Sequence, residues 1–286
     1  MPAEPVQTHA VYAPDITRRS YAVLLELSLM LKSYKPGLVL VGGWVPALLL
    51  RRHQDPNASF KHVGSVDIDF LIDPQALPAD RYATIAELLA DRGYTQSDRS
   101  VFTFERSVPG LAHPIRVDFL VPAPPLGEGR RRETPEVQRA LRARTVEDAD
   151  VALRHKANWA LEGALPDGGE ARGEIQMADL VGILAMKGLV FGMRLKGRGK
   201  DAYDIWSVCR YFGKGPREVG HALGEHRNDP AVRRGLDLIR ERFSSSDALG
   251  AVEVARFLSD AVPKGVGEPR MTAFQDVQMM LEATEE

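Results

Sequence analysis

The spacing of hydrophobic positions changes along the chain and marks out two kinds of structure. Between Thr17 and Ser33, Tyr21, Leu24, Leu25, Ser28 and Leu31 fall on one helical face, which predicts a helix stopped by Pro36-Gly37. Leu38-Val39-Leu40-Val41 is four apolar residues in a row, the pattern of a buried strand. Gly42-Gly43 then predicts a turn, and Trp44 to Leu50 the opening of a second helix. Ser65 to Ile72 alternates acidic and apolar residues. As a strand it would carry Asp67 and Asp69 on one face and Val66, Ile68 and Phe70 on the other. A helix over Asp80 to Arg92, ended by Gly93, and strands over 101–104 and 114–121 with a turn at Pro109-Gly110 complete this part. Residues 1–15 read as a loose arm.

After Val121 the pattern shifts. Pro122 to Pro125 and the run Arg130-Arg131-Arg132 mark a linker. A hairpin is expected within 157–178, its turn at Pro166-Asp167-Gly168-Gly169. Helical periods then fill about 179–193, 201–212, 216–226, 230–243, 248–261 and 271–282, punctuated by glycine and proline. The fold class expected is α+β: a small mixed sheet with flanking helices, then an α-helical C-terminal region. The corresponding domains are 1–125 and 126–286.

Composition narrows the functional classes. A chain of 286 residues with 44% hydrophobic and 27% charged residues can bury a core unaided. Its net charge of −2 excludes bulk polycation binding, so any nucleic-acid contact must be local. The single cysteine, Cys209, cannot close an internal disulfide, sits on an apolar helix, and suits a reducing cytoplasm. The longest apolar run, Leu38 to Leu50, is broken by Gly42, Gly43 and Pro46 and falls short of the roughly 20 residues of a membrane span. With a polar N-terminus, the expected location is cytoplasmic and no membrane partner is expected. The 7 histidines show no zinc-ligand spacing.

Three features carry chemistry together. They are Gly42-Gly43 between strand and helix, Asp67-Ile68-Asp69, and Asp118 inside a later apolar strand. Each alone has a plain reading as a turn or a solvated strand face. In combination, three carboxylates at one end of a sheet repel unless cations lie between them. Mg²⁺ takes such hard oxygen ligands together with substrate phosphates, and two ions can serve phosphoryl chemistry. A glycine turn before a helix lets backbone N–H groups approach phosphates. Arg130 to Arg132 with Arg139, Arg142 and Arg144 form a basic segment that reads either as a solvated linker or as a contact for RNA phosphates.

The ordered set Gly-Gly, Asp-x-Asp and strand Asp resembles the nucleotidyltransferase fold of the DNA polymerase beta superfamily. Lys187, followed by Arg194, Lys196, Arg198 and Lys200-Asp201-Ala202-Tyr203-Asp204, resembles the AbiEii/AbiGii toxin family of nucleotidyltransferase-like proteins. The resemblance spans about residues 38–212. It implies a nucleotidyltransferase that transfers NMP from an NTP to an acceptor hydroxyl, as a type IV toxin–antitoxin or phage-defence toxin. It implies Asp67, Asp69 and Asp118 as metal ligands, with Asp118 as general base, and Gly42, Gly43, Lys187, Arg198 and Lys200 as nucleotide contacts. Lys187 and Asp204 join the catalytic set, and Asp204 with Asp201 could orient Lys187, Arg198 or Lys200 by ion pairs. The implied partners are Mg²⁺, an RNA acceptor such as a tRNA 3′ end, and an antitoxin. Two departures stand out. The polar stretch Arg51 to Gly64 lengthens the connection to Asp67, and Trp44 follows the glycines where a small hydroxyl residue is common in the superfamily. A small-molecule (antibiotic-type) nucleotidyltransferase and a non-catalytic nucleotide-binding module are the alternative readings.

Overall fold

The structure is a computed structural model that describes residues 8–77, 84–123, 134–192, 199–261 and 268–286. Its contacts divide into two compact units. One comprises 14–45 and 65–179; the other comprises 1–13, 46–64 and 180–286.

The first unit is built on a sheet. Its elements are α1 (Pro14–Met30), β1 (Leu38–Val41), the start of α2 (Trp44–His53), β2 (Ile68–Ile72), α3 (Ile85–Asp91), β3 (Tyr94–Ser97), β4 (Ser100–Arg106) and β5 (Ile115–Pro122). There follow β6 (Glu136–Gln138), β7 (Leu141–Arg142), β8 (Arg144–Val146), α4 (Val151–Arg154), β9 (Lys156–Ala164) and β10 (Glu170–Ala178). The strands lie in the order β3-β4-β5-β2-β1-β10-β9. The sheet is mixed: β1/β10 and β2/β5 are parallel, and the other neighbours along that order are antiparallel. Residues 115–118 of β5 pair with β4, and residues 120–122 pair in parallel with β8. β6 and β7 form a separate ribbon.

Burial follows from composition. All four residues of β1 are buried, as an apolar run between two strands requires. α1 lies against β9 and β10 and buries Val23, Leu24, Leu25 and Leu27 completely. α3 opens on a capping box, in which Thr84 accepts from the Glu87 N–H and Glu87 accepts from the Thr84 N–H.

The second unit is helical: the rest of α2, then α5 (Leu180–Gly192), α6 (Gly199–Tyr211), α7 (Pro216–Gly224), α8 (Pro230–Arg242), α9 (Leu249–Leu258) and α10 (Pro269–Ala283). α5 and α8 approach closely because Gly188 and Gly235 sit at their contact. A Cβ on Gly235 would lie 2.7 Å from the Ala185 carbonyl oxygen. Cys209 is buried, with Sγ 2.9 Å from Met280 Sδ. Among the described residues no helix is long and apolar enough to cross a membrane.

Several expectations change. The hairpin assigned to 126–286 is β9/β10, and β10 pairs with β1, so the sheet continues well past residue 125. The strand expected over 65–72 begins only at Ile68, leaving Asp67 in the bend before it. The first helix ends at Met30, and Lys32–Gly37 forms a 3-10 segment that includes Pro36. β3, β6, β7, β8 and α4 were not expected. Of the helix expected over 80–92, residues 80–83 lie outside the described residues, as do most of the linker and Arg198.

Candidate active site

The sheet unit brings two of the three expected carboxylates into one row. β2 and β5 run in parallel with Asp69 opposite Asp118, β4 places Thr103 opposite Asp118, and β1 places Val41 opposite Asp69. Ladder partners share a face, so Thr103, Asp118, Asp69 and Val41 form a continuous line across four strands. Adjacent strands are about 4.8 Å apart, which sets the two carboxylates as near neighbours.

Gly42 closes the β1 end of this line. Its φ is +73°, left-handed backbone that side chains rarely adopt. A Cβ there would lie 2.8 Å from Asp69 Cγ and overlap Oδ2. The glycine is therefore required twice, by the turn and by the carboxylate against it. Gly43 is buried, and α2 starts at the next residue. Trp44 is buried too, its indole N–H donating to Ser20 Oγ at 3.1 Å. Gly42→Ala is expected to abolish detectable transfer and to destabilise by about 1–2 kcal/mol from the backbone alone. A transfer assay beside a thermal melt checks this, and an active, unperturbed variant would show that the turn does not fix Asp69.

Asp118 is held from the other side. Thr103, fully buried, lies with Oγ1 2.7 Å from Asp118 Oδ1 and 2.7 Å from Ser100 Oγ. A hydroxyl has one proton and an ionised carboxylate none, so Thr103 donates to Asp118 and accepts from Ser100. Arg116 Nη2 stands 3.8 Å from the same oxygen.

The donors of Asp69 and Asp118 are hard oxygens on neighbouring strands, the chemistry that Mg²⁺ takes. Asp67 is two residues from Asp69 but outside the ladder. Among the described residues no group of three or more His, Cys, Asp or Glu side chains is gathered closely enough to hold a metal ion. The fit to a cation therefore rests on the Asp69–Asp118 pair, with Asp67 beside it in sequence.

The helical unit contains the other expected residues. Lys187 on α5 and Asp201 and Asp204 on α6 are buried together. Lys187 Nζ is 2.7 Å from Asp201 Oδ1 and 2.7 Å from Asp204 Oδ2. The first contact is a hydrogen bond; the second is an ion pair without hydrogen-bond alignment. Lys200, one turn before Asp204, donates to Asp204 Oδ1. Two ammonium groups thus meet two carboxylates. Burial disfavours the charge on Lys187, but Asp201 and Asp204 outweigh it and hold its pKa above the ordinary lysine range. Burial likewise opposes charge on Asp204, and Lys187 and Lys200 reverse it, holding that carboxyl well below the usual carboxylate range. Lys200 is lowered, by burial first and then by Lys187 nearby.

Sequence reasoning missed His62. It lies in the polar connector Arg51 to Gly64, yet its side chain is buried and Nε2 is 3.0 Å from Asp204 Oδ1. Nδ1 accepts from the Gly64 N–H at 3.1 Å. Nε2 therefore carries the proton and donates to Asp204. Burial, with the positive charges of Lys200 and Lys187, lowers its pKa to about 4 against the opposing pull of Asp204. The unfolded chain binds this proton near pH 6.5, and the folded one only near 4. His62 therefore contributes a loss of stability as pH falls from about 6.5 to 4, on the order of 3 kcal/mol in full. His62→Gln keeps a donor but does not titrate, so its stability should vary less over that window. Denaturant titrations at several pH values read this directly, and an unchanged slope would mean that His62 is not the titrating group.

The structure thus joins Gly42, Asp69 and Asp118 in the sheet unit, and Lys187, Lys200, Asp201 and Asp204 in the helical unit. A mixed sheet carrying a glycine turn beside two in-register aspartates, followed by helices, is a nucleotidyltransferase-like fold. The model of one family, the nucleotidyl transferase AbiEii toxin of type IV toxin–antitoxin systems, matches residues 23–278. The chain belongs to the AbiEii family. No curated protein and no solved structure gives a significant match.

Proposed function

We propose that this protein is a Mg²⁺-dependent nucleotidyltransferase that moves NMP from an NTP to a hydroxyl of RNA, with a tRNA 3′ end as the specific case to test. The observation that carries the reading is the in-register pairing of Asp69 with Asp118 beside the Gly42 turn. The turn's backbone N–H groups, at the start of α2, would cradle the triphosphate. Asp69 and Asp118, with Asp67 beside them in sequence, would hold Mg²⁺, which when bound would neutralise charge on the phosphates and lower the pKa of the attacking hydroxyl. Thr103 donates to Asp118 Oδ1 and holds the carboxylate that would take the hydroxyl proton. The acceptor oxygen bonds to the α-phosphorus as the bond to pyrophosphate breaks. Membership of a type IV toxin family supports a toxin role with an antitoxin as partner, and action in the cytoplasm.

The test uses the whole protein with Mg²⁺, each α-labelled NTP in turn and total RNA, with Asp69→Asn alongside. Label entering RNA, absent with the variant, supports the reading. Label entering only a small-molecule acceptor, or NTP binding without transfer, overturns it in favour of an antibiotic-type enzyme or a non-catalytic binding module.

A further inference from the structure

The line of side chains through Asp69 and Asp118 has unlike flanks. Beyond Asp69 lies the Gly42 turn; beyond Asp118 lies the edge of β5 that β4 and β8 share in succession. On β8, Arg144 is the ladder partner of Leu120. Ladder partners share a face, as do residues two apart, so Arg116, Asp118 and Arg144 project from the same side of the sheet. Arg116 is 46% exposed, and at 3.8 Å from Asp118 it is beyond hydrogen-bond distance. Arg144 lays its guanidinium over the Phe102 ring, 5.2 Å from the centroid. Its Nε is buried without a hydrogen-bond partner. An unmatched buried donor is costly and calls for an acceptor.

The other arginines of the basic segment are differently engaged. Arg139 pairs with Glu87, and Arg142 donates to the Thr134 carbonyl. Arg130 to Arg132 lie outside the described residues. Among the described arginines of this segment, Arg144 is the one on the strand paired with β5.

We propose that Arg116, Arg144 and Phe102 form the acceptor-binding surface, and that its occupant is the end of a single-stranded RNA. This rests on the nucleotidyltransferase reading above. The two guanidinium groups take the phosphates nearest the reacting hydroxyl. The terminal base stacks on the Arg144 plane that Phe102 supports from beneath. Charge selects this occupant: a polycationic small acceptor of the antibiotic type would meet two arginines and be repelled, whereas a phosphodiester strand is attracted.

The experiment is fluorescence anisotropy of the full chain with a fluorescein-labelled single-stranded RNA across a salt series, with NTP affinity measured in parallel. Arg144→Ala and Arg116→Ala are each expected to weaken RNA binding about 10-fold and to lower the salt slope by about one. NTP affinity should stay at the wild-type value. Arg144→Lys keeps the charge but not the planar stack, so it should restore the salt slope and not the affinity. Arg116 is half exposed, so its variant folds even if loss of Arg144 disturbs β8. RNA affinity unchanged in both alanine variants overturns the proposal, as does a wild-type chain that binds no RNA. If the wild type labels RNA while the variants bind it normally, this surface is wrong and the transferase reading stands. If arginine-dependent RNA binding persists without any transfer, the surface stands and the transferase reading fails.

Discussion

Asp69→Asn is expected to lower nucleotidyl transfer by at least about 10³-fold, the scale of losing preorganised electrostatic stabilisation at a reacting centre. The side chain keeps its shape, so the contact with Gly42 and the β2 ladder should survive. The lost quantity is charge. A carboxamide neither neutralises a divalent cation nor complements Asp118 across the strand. The unfolding midpoint should stay near that of the wild type, or rise slightly as repulsion between Asp69 and Asp118 is relieved. Activity assays paired with calorimetry separate the two effects. A variant that is stable and as active as the wild type would remove Asp69 from the chemistry.

The second large effect concerns Asp204. It is completely buried and faces Lys187, Lys200 and His62. Asp204→Ala leaves two buried ammonium groups with Asp201 alone. Breaking one partner out of a buried ion pair costs about 3–5 kcal/mol. The pH dependence has a definite sign. The folded carboxyl titrates below the unfolded one, so its stabilisation is present above about pH 4 and is lost as pH falls further. In Asp204→Ala that acid-side loss should disappear together with the stability. Lys187→Met is the informative comparison, because Lys200 still offsets Asp204. If that variant stays folded and loses NTP affinity, the Lys187 ammonium contacts nucleotide, as the family resemblance implies. If NTP affinity is unchanged, Lys187 serves only to hold α5 to α6. A fully stable Asp204→Ala protein would show that the cluster does not anchor these helices.

What the sequence discloses follows the range of each signal. β1 was legible because Leu38 to Val41 is apolar throughout, and the C-terminal helices because each carries its own period and stop. Asp69 and Asp118 were legible as acids inside apolar strands, a local contrast. β3 was not, since only Tyr94 and Ser97 of its four residues are buried and no alternation shows. β6, β7 and β8 are too short and polar to carry a period. The strand after Asp67 is shorter than its pattern suggests, because alternation continues back through Val66 although pairing with β1 starts at Asp69. His62 escaped for a different reason. Its partner Asp204 is 142 residues away, and nothing near His62 in sequence hints at burial. That Asp201 and Asp204 share a helix face was legible because they lie one helical turn apart, a spacing visible in one dimension; which of Lys187, Arg198 and Lys200 they would meet was not.

The parallel pairing of β1 with β10 also determines how this chain can be divided and in what order it can assemble. β1, an interior strand of the sheet, waits for a neighbour made more than 130 residues later. A fragment ending at residue 125 would leave one edge of β1, four apolar residues long, open to any other strand, the situation that leads to edge-to-edge aggregation. During synthesis the sheet can close once residue 179 has emerged, while the helical unit still lacks α5 to α10. Until those helices follow, Asp69 and Asp118 can be in register while His62 still lacks Asp204. The carboxylate row thus precedes the buried ion pairs in the life of each new molecule.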